Sequence, residues 1–226
     1  MGESLELQTP HGCIGAWRAM PAQPRRGGIV VIQEIFGVNA HIRSVVDRFA
    51  MLGFAALAPA LFDPVERHVE LDYDAAGIAK GRELVARLGF DAALTLVQAA
   101  ADELRRHDPD LPVAVIGYCW GGSIAFLANT RLGLPAVSYY GARTMPFVAE
   151  PLKAPMLFHF GAHDASISAA DIDATRAAQP TARVCVWPAG HGFNCDLRAD
   201  FDADSAAKAL AVTLDFLAGI TAKARS

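Results

Sequence analysis

The run Val113-Ala-Val-Ile-Gly-Tyr-Cys-Trp-Gly-Gly122 constrains this chain more than any other stretch. Its apolar start is too short for a helix and suits a strand buried on both faces, while the residues beyond it read as a helix. Between them lies Gly117-Tyr118-Cys119-Trp120-Gly121, with a glycine two residues to either side of the cysteine. That spacing permits a turn so sharp that any side chain at the glycines would collide with the folded-back chain. Such a turn lifts Cys119 above the strand end and sets it at a helix N-terminus. There the unpaired N–H groups and the positive end of the dipole favour negative charge, on a thiolate or on a developing oxyanion. Read alone, the pentapeptide also suits a buried structural cysteine beside a glycine-rich turn, because Cys without a disulfide is among the most buried residue types.

Apolar runs and helical patterns alternate along the rest of the chain. Strands are expected near 13–19, 28–33, 53–58, 112–117, 135–140, 155–160 and 182–187, and helices near 40–52, 76–88, 91–107, 121–131, 168–178 and 203–221. The alternation predicts an α/β fold with a mostly parallel central sheet flanked by helices. No repeat, low-complexity tract or Pro/Gly/Ser linker divides the 226 residues, so one domain over 1–226 is expected. Segment 59–90 departs most from strict alternation and is expected to supply a loop and helix bordering a pocket.

Composition removes several function classes. A hydrophobic fraction of 53% and a mean hydropathy of +0.25 exclude a disordered chain. The 20 basic and 24 acidic residues are interspersed, for a net charge of −4, which is not the footprint of a nucleic-acid binder. The expected partner is a small molecule. The four cysteines form no CxxC pair and no cluster with zinc-ligand spacing, so neither a metal nor another cofactor is expected. The N-terminus lacks the basic-then-apolar order of a signal peptide, and Glu6 stands where an acylation motif wants Ser or Thr. No apolar run is read as long enough to span a bilayer. The expectation is a cytoplasmic protein without a membrane partner, monomeric or weakly oligomeric, in a reducing setting that suits a catalytic thiol.

A parallel sheet carries its functional side chains on loops leaving the C-terminal strand ends. After the strand at 155–160 comes Gly161-Ala-His-Asp164, and after the strand at 182–187 comes Pro188-Ala-Gly-His191-Gly-Phe. Cys119, Asp164 and His191 then stand in the nucleophile, acid, base order of the α/β-hydrolase fold. Asp164 alone would serve as a turn residue or helix cap, and His191 alone as an ordinary loop histidine. Their placement after successive strands, downstream of the cysteine turn, favours catalysis. His159 and His163 are four apart, but they straddle a strand end rather than sharing a helix face. Acyl transfer also requires an oxyanion hole. The backbone N–H of Trp120 is one candidate donor and that of Ile35, in the loop after the strand at 28–33, the other. Glu34 beside it is either a surface loop charge or part of the site.

Gln33-Glu-Ile-Phe-Gly-Val-Asn39, Gly117-Tyr-Cys-Trp-Gly-Gly122, Gly161-Ala-His-Asp164 and Gly190-His-Gly-Phe-Asn194 together resemble the dienelactone hydrolase family, from about residue 13 to 220. The resemblance implies a compact α/β-hydrolase fold with little or no cap domain, opening cyclic enol-lactones of the dienelactone type to maleylacetate. It implies Cys119 as nucleophile, His191 as base, Asp164 as its orienter and Glu34 as the carboxylate that restrains the resting thiol until substrate enters. Two departures concern the substrate carboxylate. Cys195 stands where the family has an arginine, which suggests that Cys195→Arg would turn preference toward anionic substrates. A second basic residue falls in a window holding Lys80 and Arg82, with Arg198 further along as another candidate; Arg82 is preferred because a guanidinium grips a carboxylate with two hydrogen bonds. The expected activity is cysteine-dependent lactone or activated-ester hydrolysis through a thioester. A general small-molecule carboxylesterase is the nearest alternative, and a non-catalytic hydrolase-like binding protein the alternative of another class.

Overall fold

A computed structural model describes residues 2–22 and 25–223, which fall into two compact units, Met1–Ala114 and Val115–Ser226. In the first unit the strands are β1 (Glu3–Thr9), β2 (Gly12–Ala19), β3 (Gly28–Ile32) and β4 (Ala55–Pro59), hydrogen-bonded in the order β1-β2-β4-β3. β1 and β2 form an antiparallel hairpin, β2 runs antiparallel to β4, and β4 is parallel to β3. Every residue of β3 and β4 is buried, as expected of strands covered on both faces. β1 was not among the expected strands. It is an edge strand in which only Leu7 is fully buried, so its one apolar face is easily read as a charged tail.

Helix α1 (Ala40–Met51) is capped by Asn39, whose side-chain oxygen accepts from the Ile42 N–H. Its buried Ile42, Val45, Val46 and Phe49 recur at helical spacing. Helix α2 (Ala75–Arg105) merges the helices expected at 76–88 and 91–107. Gly89 lies between them at φ 75° and ψ 172°, a break that L side chains do not tolerate, so two helical segments meet at a kink.

In the second unit β5 (Val113–Tyr118), β6 (Ala136–Tyr139), β7 (Met156–Gly161) and β8 (Arg183–Trp187) are parallel neighbours in that order. β5, β6 and β7 are wholly buried, while β8 is partly exposed. Helices α3 (Trp120–Leu132), α4 (Ala169–Ala178) and α5 (Ala203–Lys223) complete it. α3 is buried from Trp120 to Thr130, matching a sequence that is apolar or small on every face, and stops at Gly133 in the left-handed region. The segment joining β6 to β7 holds a single 3-10 turn, Met145–Phe147.

The expectation that no stretch would reach membrane-spanning length is corrected. Within Ala75–Arg105 and within Ala203–Ala222, an 18-residue window has a mean hydropathy of 1.4 and 1.3 respectively, long and apolar enough to cross a bilayer by length and composition. Core helices of water-soluble proteins meet the same criterion, and half of the α2 window is buried inside the fold.

Candidate active site

β5 ends at Tyr118 and α3 begins at Trp120, so Cys119 makes the turn by itself. It sits at φ 55° and ψ −117°, a conformation that a residue with a side chain adopts only where its surroundings hold it. The Cys119 N–H donates to the Tyr139 carbonyl at 3.0 Å, and its own carbonyl accepts from the Gly122 N–H at 2.9 Å. A Cβ at Gly117 would overlap the carbonyl oxygen of Gly121, and one at Gly122 would stand 2.7 Å from the Tyr139 carbonyl. The glycines are therefore the condition for the turn. Cys119 is left half-buried, with the Trp120 N–H the first amide of a helix whose early amides have no intrahelical acceptor.

Asp164 and His191 arrive on two loops that are stitched together. The Ala162 N–H donates to the Trp187 carbonyl at 2.7 Å and the His163 N–H to that of Ala189 at 3.0 Å. Gly161 permits this approach, since a Cβ there would overlap the Ala189 carbonyl. His191 Nδ1 then lies 2.8 Å from Asp164 Oδ2, and His191 Nε2 lies 3.1 Å from Cys119 Sγ. The other oxygen, Asp164 Oδ1, accepts from the Ser166 N–H at 2.7 Å, which fixes the carboxylate plane. Nδ1 faces an acceptor and so carries the proton, leaving Nε2 to receive one from the thiol. Burial alone would push the imidazole down. Its hydrogen bonds to Asp164 and Cys119, with their charges, outweigh that and raise it above 6.5, so that Nε2 takes up a proton offered by the thiol readily. The cation formed when His191 takes the thiol proton is thus held on both sides. Tyr140 packs edge-on against the ring at 5.2 Å.

In the first unit Glu34 is buried rather than a surface loop charge. Gln33 braces its loop, accepting from the Leu61 N–H and donating to the Glu34 carbonyl. The Tyr73 hydroxyl donates to Glu34 Oε2 at 3.0 Å. Ile35 is half-buried, and Gly81 of α2 lets the helix back onto its carbonyl, where a Cβ would overlap the oxygen. Nothing in the sequence marks Tyr73 as a partner of Glu34; that contact spans 39 residues.

The candidate anchors differ in setting. Arg82 is exposed on α2, and Lys80 is bound to Glu66 at 2.8 Å and Glu83 at 3.5 Å. In the second unit, Arg198 folds back over the residue next to the histidine, since a Cβ on Gly192 would meet Arg198 Nε at 2.7 Å. Cys195 is fully buried, so an arginine introduced there would turn substrate preference only if its surroundings opened to accommodate the guanidinium. Segment 59–90 borders a cavity of about 370 Å³ in the first unit, walled by Trp17, Val38, Phe62 and Val69 and rimmed by Arg43 and Arg67.

His159 and His163 form no pair. His163 is exposed, whereas buried His159 accepts from Trp187 Nε1 at Nδ1, 3.1 Å, and meets Thr213 Oγ1 with Nε2 at 3.0 Å. Burial, assisted by the Arg183 charge, lowers its pKa from 6.5 to about 3. A folded value below the unfolded one contributes stability that is fully present above 6.5 and lost as pH falls toward about 3. Melting midpoints followed from pH 7 to 4 should therefore fall less steeply in His159→Gln, which can keep both hydrogen bonds but cannot titrate; an unchanged acid slope would place the lability elsewhere.

Comparison with known proteins places the chain in a family. The model of the dienelactone hydrolase family matches residues 14–221. Carboxymethylenebutenolidase of Pseudomonas putida is 33% identical over 233 residues, covering 98% of each chain. A Synechocystis protein provisionally named carboxymethylenebutenolidase is 36% identical over 200 residues, 80% of this chain and 81% of that one. Among solved structures, one from Klebsiella pneumoniae, provisionally named a dienelactone hydrolase, superimposes with a TM-score of 0.82 at 30% identity, over 96% of this chain and 99% of that chain. An esterase from Pyrococcus furiosus, with a TM-score of 0.70 at 11% identity over 98% and 93% of the two chains, shares the α/β-hydrolase fold alone. With a family match across nearly its whole length and a relative aligned from end to end, the chain belongs to the dienelactone hydrolase family.

Proposed function

We propose that this ester and lactone hydrolase works through Cys119 as nucleophile, His191 as base and acid, and Asp164 as the group that orients His191. The observation that carries the proposal is the line from Cys119 Sγ through the imidazole to Asp164, 3.1 Å on one side and 2.8 Å on the other. As Sγ attacks the carbonyl carbon, its proton passes to Nε2, a C–S bond forms and the carbonyl oxygen takes the negative charge. The Trp120 N–H donates to that oxyanion. Collapse breaks the C–O bond, and His191 returns the proton to the departing enolate or alkoxide. Water then attacks the thioester, giving one proton to His191, which passes it to sulfur as the C–S bond breaks.

Its position in the loop after β3 makes the Ile35 N–H the candidate second oxyanion donor, and the family resemblance adds Glu34 as the group that restrains the resting thiol. Enol-lactones of the dienelactone type and small activated esters suit this chemistry, because a thiolate is itself a good leaving group and competes poorly against an expelled amine. The buried Cys195 in place of the family arginine favours small neutral esters as a second substrate reading. Catalysis by a thiol further suits a reducing compartment such as the cytoplasm. The decisive experiment is mass spectrometry of the enzyme quenched during turnover of p-nitrophenyl acetate: an acyl group on Cys119 is expected, and one on Cys195 with Cys119 untouched would overturn the mechanism.

For carboxylate-bearing lactones the geometry supports Arg198 above Arg82, because its guanidinium lies against Gly192, next to the base. Arg198→Ala is expected to raise KM for such lactones roughly tenfold to a hundredfold, the scale of a hydrogen bond to a charged group, with KM for p-nitrophenyl acetate nearly unchanged. The same loss in Arg82→Ala, with Arg198→Ala silent, would return the anchor to α2.

A further inference from the structure

Glu34 sits at the end of a hydrogen-bonded line whose direction is set by a helix cap. Asn39 Oδ1 accepts from the Ile42 N–H at 3.2 Å, capping α1. With its oxygen so committed, the Asn39 amide turns its nitrogen the other way, and Nδ2 lies 3.1 Å from the Tyr73 hydroxyl oxygen. That oxygen therefore receives a proton from Asn39. A phenol carries one proton of its own, and here it is donated to Glu34 Oε2, 3.0 Å away. Tyr73 is held in this position by its ring, whose centroid is 4.4 Å from that of Phe36 on the Glu34 loop, and by the adjoining N-cap of α2, Asp74, which accepts from the Gly77 N–H at 2.7 Å. The two helix starts thus hold the Asn39 end and the middle of the line.

We propose that Tyr73 is a positioning residue for Glu34, and that Asn39 sets the sense of its hydrogen bond, so that the carboxylate always meets Tyr73 as an acceptor. The inference rests on the reading of Glu34 as the restraint on the thiol. Its physical content is one of polarity. If the Tyr73 proton turned away, the hydroxyl oxygen would face the carboxylate lone pair to lone pair, and Glu34 would lose a charge-assisted hydrogen bond that helps to orient it. The restraint would loosen, leaving a thiol that reacts more readily with small electrophiles and works less well in turnover.

Two substitutions separate this role from mere packing. Tyr73→Phe keeps the ring and removes the proton. Asn39→Asp keeps the helix cap, since Asp and Asn cap equally well, but replaces the amide donor with an acceptor that competes for the Tyr73 proton. Each is expected to speed iodoacetamide alkylation of Cys119 and to lower kcat for p-nitrophenyl acetate, by roughly threefold to tenfold, the net scale of one ordinary hydrogen bond, with KM little changed and the melting midpoint of Asn39→Asp close to wild type. In a Glu34→Gln background both should add almost nothing. Undiminished effects in that background would overturn the relay, as would two silent variants beside an altered Glu34→Gln. A Glu34→Gln enzyme with wild-type turnover and alkylation would instead remove the role of Glu34 itself, and the relay with it.

Discussion

Replacing Cys119 with alanine should lower turnover of p-nitrophenyl acetate and of dienelactone isomers by roughly four to six orders of magnitude, and His191→Ala should do nearly as much. In the proposed mechanism the two side chains act as one unit: the sulfur attacks only as its proton leaves, and the proton leaves only to Nε2, 3.1 Å away. The double variant should accordingly be little worse than either single one. Asp164→Asn is expected to cost up to about 10⁴-fold, because an amide nitrogen opposite Nδ1 would favour the tautomer with its proton on the wrong side of the ring. Initial rates in one buffer series measure all four. Losses that multiply in the double variant, or activity that chelation removes and zinc restores, would contradict a metal-free thiol mechanism.

The second large effect concerns the turn rather than the chemistry. Gly117→Ala should lower stability by about 2–3 kcal/mol, or about 5–10 °C in melting midpoint, and depress Cys119 alkylation, since its Cβ would overlap the Gly121 carbonyl and backbone must move. Gly133→Ala provides the comparison. That glycine has φ 72° but open space around it, so the penalty is conformational alone, about 1 kcal/mol, with reactivity unchanged. Calorimetry beside alkylation kinetics distinguishes them. Equal losses of stability with equal reactivity would mean that Gly117 matters only for its torsion angles.

The placing of Cys119, Asp164 and His191 at strand ends was legible in the sequence because two of the three strands are wholly buried, and short apolar runs closed by glycine or polar residues mark such ends with little ambiguity. Strands β5 and β7 fall within one residue of their expected bounds for that reason. Edge strand β1 was harder, as its alternation involves only Leu5 and Leu7 among charges. Long-range side-chain partnerships leave no local trace at all. Tyr73 looks like any aromatic before a helix, Cys195 gives no sign of being sealed from solvent, and the approach of Arg198 to Gly192 depends on the loop closing through the Cys195 and Arg198 amides.

The left-handed backbone at Cys119 also determines when in the life of the chain this residue becomes dangerous. An unfolded or nascent chain relaxes that torsion to an ordinary value, has no helix start beneath the sulfur and no imidazole beside it, and so carries four unremarkable thiols. On the proposed mechanism, only completion of β5, α3 and both loops creates the nucleophile. Reactivity is thereby withheld during synthesis and withdrawn on damage, so that a molecule which loses its packing loses its chemistry in the same step.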